Sequence, residues 1–482
     1  MSSAALGAAL ACGLLLAACG GSDEAVQSAS RDAPRHMLLI VVDTLRADHG
    51  LGAGGNVPGL TALAEGSVVF TRAIAPGSWT LPSMVALFTG HDAPGEPLRL
   101  PDGVTSLAES LQDAGWATGA FVCSALVAPE AGFDRGFDEF HPLSVYGSEG
   151  AVARWLEARG DGPTFTYVHL LEPHAPYGPP EFAHKSPRNA RRYGDLTDDA
   201  RLAAPAELGA HEAERLQAWA DEVGEVLAPE DLETVRRGRA GYAVDVTAAD
   251  RRITALVELV DAAAGEHGAV VVVTSDHGEG LWTRRAPRPA ADAQVTRLDR
   301  VAQATHGSLV YPELVHVPLI VRAPGWAPAR VDAAVGLSDI MPTLLALGGV
   351  PGPPGLTGLD LDGLRRAPER AARLKPATFA STRFADTVVS HDGWQLIVPT
   401  ARGRRDHGLE LELFDLNRDP EARQDLSAAH PERVAALRRA LDARWAGAPG
   451  RPDEGHGDSA ADAEIRRRLE ALGYLDAGVT DR

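Results

Sequence analysis

The chain has 482 residues, 45% of them hydrophobic, and a formal net charge of -20 from 46 basic and 66 acidic residues. A chain of this length can bury one large α/β core and a smaller second lobe. The acidic balance argues against nucleic acid as the main partner, because counterion release from a polyanion requires a basic face.

The N-terminal stretch, MSSAALGAALACGLLLAACGG, is apolar but short for a membrane span. Residues 1–19 resemble a bacterial lipoprotein signal in which Cys19 becomes the lipidated first residue, and residues 20–35 would form a flexible tether. This resemblance implies export to the cell envelope, to the periplasm or cell surface, and a lipid anchor in the membrane. The alternative is an ordinary secretory signal or a misassigned start codon. Processing at Cys19 would leave Cys123 as the remaining thiol, which excludes a disulfide framework.

Two long apolar runs predict strands that are buried on both faces of a parallel sheet. HMLLIVVD ends at Asp43, and GAVVVVTSDHGEG contains Asp276 and His277. Between them lie helical patterns such as VTSLAESLQDAGW and a third strand candidate, PTFTYVHLLEPHAPY. The alternation predicts a doubly wound α/β core, in which chemistry collects beyond the carboxyl ends of the strands.

The pattern changes after VHVPLIVRAPG, so we expect the core to span residues 36–350. A smaller α+β lobe is predicted over residues 351–446, with short antiparallel strands in GWQLIVPTARGRRDHGLELELFDLNRDP and a helix in PERVAALRRALDARW. Residues 447–482 are expected to form a flexible linker and a terminal helix.

Thr80 precedes an apolar-periodic segment that carries Pro82 in its first turn, so it suits the N-cap of a helix. As a cap it would stabilise the helix by about 1 kcal/mol and need no further role. The same helix terminus would also stabilise an alkoxide or a bound anion. Both interpretations are open at this point.

Asp43, Asp276 and His277 can converge with the Thr80 oxygen into a mixed nitrogen and oxygen shell. Such a shell is typical of one Zn or Mn ion rather than Ca, which prefers oxygen throughout. A divalent metal would lower the pKa of the Thr80 hydroxyl and orient it for attack on phosphorus or sulfur.

Two further turns, EPHAPY and ATHGSLVY, contain His174 and His306, and His174 directly follows an apolar run. We expect these imidazoles to contact the non-bridging oxygens of an anionic ester or to protonate its leaving group. An arginine-rich loop, LWTRRAPRPAADAQVTRLDRVAQAT, contains Arg285 and could clamp the substrate. The alternative for each arginine there is a solvated surface position.

Seven segments between about Met37 and Leu426 stand in a specific order. They are LLIVVDTLRADHGLG, PGLTALAEGSVVFTRAIAPGSWTLPSMVALFTG, YVHLLEPHAPY, VVVVTSDHGEG, HGSLVYPELVHVPLIVRAPG, LSDIMPTLLALGGV and ELFDLNRDPEARQDL. In this order they resemble the sulfatase branch of the alkaline phosphatase superfamily. The resemblance implies a large, mostly parallel α/β/α sandwich with a smaller C-terminal α+β subdomain.

For the site, the resemblance implies a metal held by Asp43, Thr80, Asp276 and His277, with Thr80 as nucleophile. It implies substrate contacts for His174 and His306.

The chain departs from the sulfatase pattern at two places. Sulfatases carry Cys or Ser, oxidised to formylglycine, before x-P-S-R, whereas this chain has Thr80 and ends the motif with Met84. Thr cannot form the formylglycine aldehyde. The family's paired Asp for calcium is reduced here to Asp43 followed by Thr44. Thr-dependent relatives such as phosphoethanolamine transferases and nucleotide phosphodiesterases are understood to work through a covalent Thr intermediate.

The leading hypothesis is therefore a sulfatase-like, metal-dependent enzyme that hydrolyses or transfers a phosphate or sulfate ester through a covalent Thr80 intermediate. A second is a sulfuric ester hydrolase that works without formylglycine. A third is a catalytically inactive surface lipoprotein that binds an anionic glycan or lipid headgroup.

Overall fold

The computed structural model describes residues 34–446, with short gaps at 53, 93–94, 96, 144–147, 161, 176 and 224–227 and longer gaps at 178–209 and 285–302. The predictions for Cys19, Arg285, the N-terminal signal and tether, and residues 447–482 lie outside the described residues. Within the described part, no helix is both long and apolar enough to cross a membrane.

The strands of the described residues fall into a large sheet and a small sheet. Those of the large sheet are β1 His36–Val42, β2 Val68–Ile74, β3 Ala117–Val122, β4 Glu139–Pro142, β5 Thr164–Leu170, β6 Ala269–Ser275, β7 His316–Val317, β8 Leu319–Arg322 and β9 Ala329–Gly336. Those of the small sheet are β10 Ala377–Ser381, β11 Ala385–Ser390, β12 Trp394–Pro399 and β13 Glu412–Asp415.

Helices connect and cover these strands. They are α1 Ala47–Gly50, α2 Pro58–Glu65, α3 Thr80–Thr89, α4 Leu107–Asp113, α5 Ser148–Arg159, α6 Ala210–Val223, α7 Pro229–Ala264, α8 Pro312–Val315, α9 Ile340–Leu347, α10 Leu361–Arg366, α11 Ala371–Leu374, α12 Ala401–His407 and α13 Pro431–Ala446.

The large sheet has the strand order β4-β3-β5-β1-β6-β8-β2-β7, with β9 paired to β2. The five strands from β4 to β6 are parallel to one another, and β8 is antiparallel to β6 and to β2. β1 is fully buried along its length, as the apolar run predicts for a strand covered on both faces. This mostly parallel sheet with helices on both faces, followed by a small separate sheet, confirms the predicted fold class.

Alternate residues of β1 feed two hydrophobic cores on opposite faces of the sheet. Met37, Leu39 and Val41 pack with α3 on one face, and the intervening residues pack with the long helix α7 on the other. Burial of each such side chain stabilises the fold by roughly 1.5–3 kcal/mol. The two cores are the reason why the sheet ends, rather than its faces, are left for polar groups.

The small sheet is antiparallel throughout, in the order β10-β11-β12-β13, and α13 covers it. The segment predicted as short strands contains β12 and β13 but also α12. Thr400 explains this helix, because its side-chain oxygen accepts a hydrogen bond from Gly403 N at 3.0 Å. Gly408 ends the helix in the left-handed conformation that Gly adopts without strain. Leu361 and Leu364 of α10, before the small sheet, pack in the core of the large sheet.

Candidate active site

Three neighbouring parallel strands bring polar side chains to one point at the carboxyl edge of the large sheet. β1 lies between β5 and β6, and the register aligns the last residues of all three strands. Asp43 and Asp276 directly follow β1 and β6, and His169 is the last residue but one of β5. One donor atom from each of these side chains lies within 4.8 Å of the other two, and all three side chains are buried.

His277 completes the cluster. Its Nε2 lies 3.4 Å from Asp276 Oδ2 and 3.7 Å from Asp43 Oδ1, while His169 Nε2 lies 3.7 Å from Asp43 Oδ2. These separations are too long for good hydrogen bonds. Ligand atoms that share one tetrahedral cation at roughly 2.0–2.1 Å stand about 3.3 Å apart, close to the separations seen here.

The two imidazoles of the cluster are neutral and oriented. His277 Nδ1 lies 2.9 Å from Gly278 O, and a carbonyl only accepts, so Nδ1 carries the proton and Nε2 offers a lone pair. His169 Nδ1 lies 2.7 Å from the Tyr167 hydroxyl. Burial lowers the pKa of His169 to about 4 and holds the pKa of His277 well below its usual range.

Asp276 is a fully buried carboxylate beside a second carboxylate, that of Asp43. Burial, together with the nearby Asp43 carboxylate, raises the pKa of Asp276. Among the described residues, Asp276 forms no ion pair with Lys or Arg. His169 Nε2, His277 Nε2 and Asp276 Oδ2 are buried without a hydrogen-bond partner in the same described set. Two carboxylates and two neutral imidazoles fit one divalent cation, which would satisfy these atoms together.

The turn after β1 holds Asp276 in place. Thr44 adopts a left-handed backbone with φ 61°, which is unfavourable for a β-branched residue and is found mainly where function requires it. Its N–H donates to Asp276 Oδ1 at 3.2 Å, and its carbonyl accepts from the Tyr242 hydroxyl at 2.7 Å. Tyr242 on α7 therefore holds this turn in place through its hydrogen bond to Thr44.

Thr80 is the first residue of α3, and Trp79 occupies the N-cap. The prediction that Thr80 caps the helix is therefore wrong by one position. Its Oγ1 is fully buried and has no hydrogen-bond partner among the described residues, so it caps nothing. α3 packs on the face of the sheet that carries Tyr167, whose ring lies 5.0 Å from that of Phe88.

His306 joins the loop before α3 to the cluster. The N–H of Gly307 donates to Ser78 O at 2.8 Å, and the ring of His306 lies 4.4 Å from that of His277. His306 Nδ1 lies 3.1 Å from Glu279 Oε1. Burial opposes protonation, but the Glu279 carboxylate outweighs it and raises the pKa of His306.

His174 stands on the other side of His306, with 5.1 Å between the ring centroids. Its Nδ1 donates to Ala175 O at 2.6 Å, which directs the proton to that nitrogen. The loop that carries His174 is fixed by a buried ion pair, because Arg252 Nη1 donates to Glu172 at 2.9 Å.

Sequence reasoning missed three residues of this site, namely His169, Tyr167 and Glu279. His169 lies inside the strand candidate PTFTYVHLLEPHAPY, and a histidine within such a mostly apolar, fully buried strand is the signal of a functional role that could have found it. Arg284, next to the predicted clamp residue, is described and pairs with Glu313 at 2.8 Å while lying 3.8 Å from the ring of Tyr311. This arginine serves packing rather than an open substrate surface.

Comparison with known proteins gives a family match over most of the chain. The family model described as Sulfatase matches residues 35–350. The ulvan-active sulfatase of Formosa agariphila is 23% identical over 410 residues, which are 76% of this chain and 71% of that protein. Arylsulfatase K of Mus musculus is 29% identical over 182 residues, 36% of this chain, and the match spans only 29% of the arylsulfatase.

Solved structures share the fold. A phosphonate monoester hydrolase of Agrobacterium radiobacter has a TM-score of 0.58 at 19% identity, covering 86% of this chain and 95% of its own. A 2-O GAG sulfatase has a TM-score of 0.58 at 17% identity, covering 86% and 92%. A structure solved with its substrate D-glucosamine-2-N,6-O-disulfate has a TM-score of 0.61 at 16% identity, covering 86% and 97%.

Proposed function

Because this chain belongs to the sulfatase family of the alkaline phosphatase superfamily, we propose that it cleaves a phosphate or sulfate ester with Thr80 as nucleophile. The family assignment makes the protein a sulfuric or phosphoric ester hydrolase. Metal dependence and the covalent Thr80 intermediate are the finer parts of the proposal.

Asp43, His169, Asp276 and His277 are the residues we assign to one divalent cation, with Thr80 as a further ligand. The cation, when bound, would neutralise charge on the transferred group and favour ionisation of a hydroxyl. Zn or Mn is favoured over Ca, because two of the assigned ligands are neutral imidazoles. His169 thus adds a nitrogen ligand in a site that lacks the second Asp of the family pattern.

In the first step, Thr80 Oγ1 attacks the phosphorus or sulfur atom. The bond from that atom to the ester oxygen breaks, the alcohol leaves with a proton, and the proton of Thr80 is released. His306 is suited to supply the proton, since Glu279 raises its pKa. His174 is suited to contact the non-bridging oxygens.

In the second step, a water oxygen attacks the same phosphorus or sulfur atom. The bond to Oγ1 breaks, Thr80 regains its proton, and inorganic phosphate or sulfate leaves. The balance is one ester and one water consumed, one alcohol and one anion formed. An acceptor alcohol in place of water would make the reaction a transfer. Thr lacks the aldehyde hydrate with which formylglycine ejects sulfate, so this second attack is obligatory.

One observation carries the proposal. Thr80 Oγ1 is a fully buried hydroxyl at the start of a helix, and no described residue satisfies it. An unsatisfied buried hydroxyl costs roughly 1–3 kcal/mol, a cost that a structural cap would not incur. Its use by substrate or metal accounts for that cost.

The test compares Thr80→Ala and Thr80→Ser with the wild type on 4-nitrophenyl phosphate, bis(4-nitrophenyl) phosphate and 4-nitrophenyl sulfate. We expect Thr80→Ala to lose nearly all turnover and Thr80→Ser to retain part of it. Mass spectrometry of wild-type protein quenched during turnover should show a phosphate or sulfate adduct on Thr80. Unchanged turnover of Thr80→Ala would remove this residue from the mechanism.

A second candidate is a sulfuric ester hydrolase that works without formylglycine, and the names of the sulfatase relatives favour it. A kinetic preference for 4-nitrophenyl sulfate over the phosphodiester would support it. The substrate proposed in either case is an anionic ester, on a glycan or a lipid headgroup. A purified protein that holds and takes up no Zn, Mn or Ca would instead indicate an inactive binding protein.

Lipidation at Cys19 and a position in the bacterial cell envelope are part of the same proposal. Their support is the resemblance of residues 1–19 to a lipoprotein signal. Metabolic labelling with an alkyne fatty acid, compared between wild type and Cys19→Ala, tests the anchor.

A further inference from the structure

Arg252, a buried residue of the long helix α7, bonds to the loop that carries His174. Its guanidinium donates to side chains of two other elements. Nε lies 2.8 Å from Glu149 Oε1, and Nη2 lies 2.6 Å from Ser148 Oγ, both at the start of α5. Nη1 lies 3.0 Å and 2.9 Å from the two carboxylate oxygens of Glu172. One planar guanidinium therefore joins α7, the first turn of α5 and the loop after β5.

Glu172 and Pro173 are the two central residues of a tight turn. The N–H of His174 donates to Leu171 O at 2.9 Å and so closes the turn around them. Leu171 directly follows β5, and Glu172 is buried. Because a closed four-residue turn has little conformational freedom, a contact that holds the Glu172 side chain also fixes the backbone of His174.

The same helix bonds the loops that follow β1 and β6. The Tyr242 hydroxyl donates to Thr44 O at 2.7 Å, in the turn after β1. Arg239 Nε donates to Leu281 O at 3.0 Å, in the loop after β6. Each of the three loops thus has its own contact on α7. Loss of the Arg252 contact would leave the contacts of Tyr242 and Arg239 in place.

The chemistry of this cluster fixes geometry more than it adds stability. Arg252 pairs with two carboxylates, those of the partly exposed Glu149 and the buried Glu172. Burial raises the pKa of the nearby Cys123 thiol to about 12, so this thiol stays neutral and adds no competing charge. A buried ion pair contributes little net stability compared with apolar groups of the same volume. Its hydrogen bonds are directional, and the planar fork of arginine fits one arrangement of partners.

We propose that Arg252 is a positioning residue for the His174 imidazole. Through Glu172 it holds the closed turn that places this ring 5.1 Å from the ring of His306. The inference rests on the proposed function, in which His174 contacts the non-bridging oxygens of the ester. Arg252 itself touches no substrate and acts through His174. Breaking the link should therefore weaken the handling of the ester, while the metal affinity is kept because Tyr242 still holds the turn after β1.

A double-mutant cycle tests the link. Arg252→Lys keeps the charge, but one ammonium cannot bond Glu149, Ser148 and Glu172 in the same geometry. We expect kcat/KM for a 4-nitrophenyl ester to fall about tenfold, because a misplaced contact group costs rate, while metal affinity is unchanged. In the His174→Ala background the same change should lower kcat/KM by less than about twofold, since the positioned imidazole is gone. Equal losses in the two backgrounds, or a parallel loss of metal affinity, would overturn the inference.

Two variants of Glu172 test the same link with the guanidinium in place, also if Arg252→Lys does not fold. Glu172→Ala should reproduce the loss and its dependence on His174, whereas Glu172→Gln should keep most activity, because its amide oxygen still accepts from Arg252. Arg322→Lys is the matched control, since Arg322 pairs with Asp261 near the other end of α7 and should retain the wild-type kcat/KM. A melting curve establishes that each variant is folded. The same loss in the control variant would overturn the inference.

Anion binding separates the two levels of the proposal. Inorganic phosphate and inorganic sulfate are the probes, titrated calorimetrically into the metal-loaded protein. The anion that binds the wild type should bind Arg252→Lys more weakly, and this difference should vanish in the His174→Ala background. That result in a protein that turns over no ester would refute the proposed function and keep the positioning role. Turnover with equal losses in both backgrounds would refute the positioning role alone.

Discussion

Two aspartates are fully buried but have different partners. Asp276 lies at the edge of the large sheet, and Asp339 lies just before α9. Lys375 Nζ lies 2.6 Å from Asp339 Oδ2, and the amides of Gly336 and Leu359 donate to the same carboxylate, each at 2.8 Å. Asp276 receives an amide from Thr44 but no Lys or Arg within the described residues. Burial raises the pKa of both aspartates.

The difference separates a structural ion pair from a group of side chains that could hold a metal ion. A buried carboxylate must be compensated, since desolvation costs several kcal/mol per ion. The chain supplies the cation for Asp339, which ties the segment before the small sheet to the large domain. For Asp276 the described residues supply two neighbouring imidazoles but no Lys or Arg, and the Asp43, His169 and Asp276 group could hold a metal ion.

The largest effect on folding should come from Lys375→Met. It leaves Asp339 charged and buried without its cation, so the free energy of unfolding should fall by about 3–5 kcal/mol. Urea unfolding of both proteins measures the change. The double variant Lys375→Met/Asp339→Asn should recover much of the loss, because no charge is then left unpaired. Equal stability of the single variant and the wild type would contradict the comparison.

In contrast to Lys375→Met, Asp276→Asn should reduce metal affinity and turnover but not the stability of the metal-free protein. Mutation of a residue that supports a metal ligand typically lowers metal affinity or activity roughly 10–100-fold. Mutation of an assigned ligand should therefore lower both by more than about a hundredfold. The metal-free protein should not lose stability, because the repulsion from Asp43 is removed. Metal analysis, turnover and thermal melting in a chelator give the three values. A variant that retains its metal and its turnover would show that Asp276 is not a ligand.

Tyr167→Phe tests the orientation of His169. The change removes the hydroxyl that contacts His169 Nδ1 and leaves the ring packed against Phe88. We expect roughly a tenfold loss of metal affinity, measured by competition with a chromophoric chelator. Phe88→Leu is the control, since it alters the packing but not the hydrogen bond, and it should affect stability more than metal affinity.

The smallest expected effect on stability concerns Glu149, a partly exposed carboxylate that pairs with Arg252. Burial opposes ionisation of Glu149, but Arg252 outweighs it and lowers the pKa of Glu149 below 4.5. The pair thus stabilises the fold above about pH 4.5, and this contribution is lost as pH falls through the folded-state pKa. Glu149→Gln should lose less stability than the wild type between pH 5 and pH 3, as measured by urea unfolding at each pH. At pH 7 the substitution should lower the free energy of unfolding by under about 1 kcal/mol. An unchanged acid profile would contradict this linkage.

Much of the fold follows from local pattern. The apolar runs of β1 and β6 predict buried parallel strands, and α4 and α13 follow from their helical periodicity. α12 was not predicted, because its signals, the Thr400 cap and the Gly408 terminus, stand in a segment whose flanks resemble strands. The position of Thr80 was wrong by one residue at the helix start, where side-chain capping at Trp79 is absent.

The sequence by itself determined that Asp43 and Asp276 end two buried strands, because an uninterrupted apolar run stops where the chain meets water or a ligand. The resemblance of its motifs to the sulfatase pattern also predicted that Thr80 stands at the formylglycine position. Only the tertiary structure decided that His169 joins these carboxylates. Strand order and register bring together residues far apart in the chain, and no local pattern encodes which strands become neighbours.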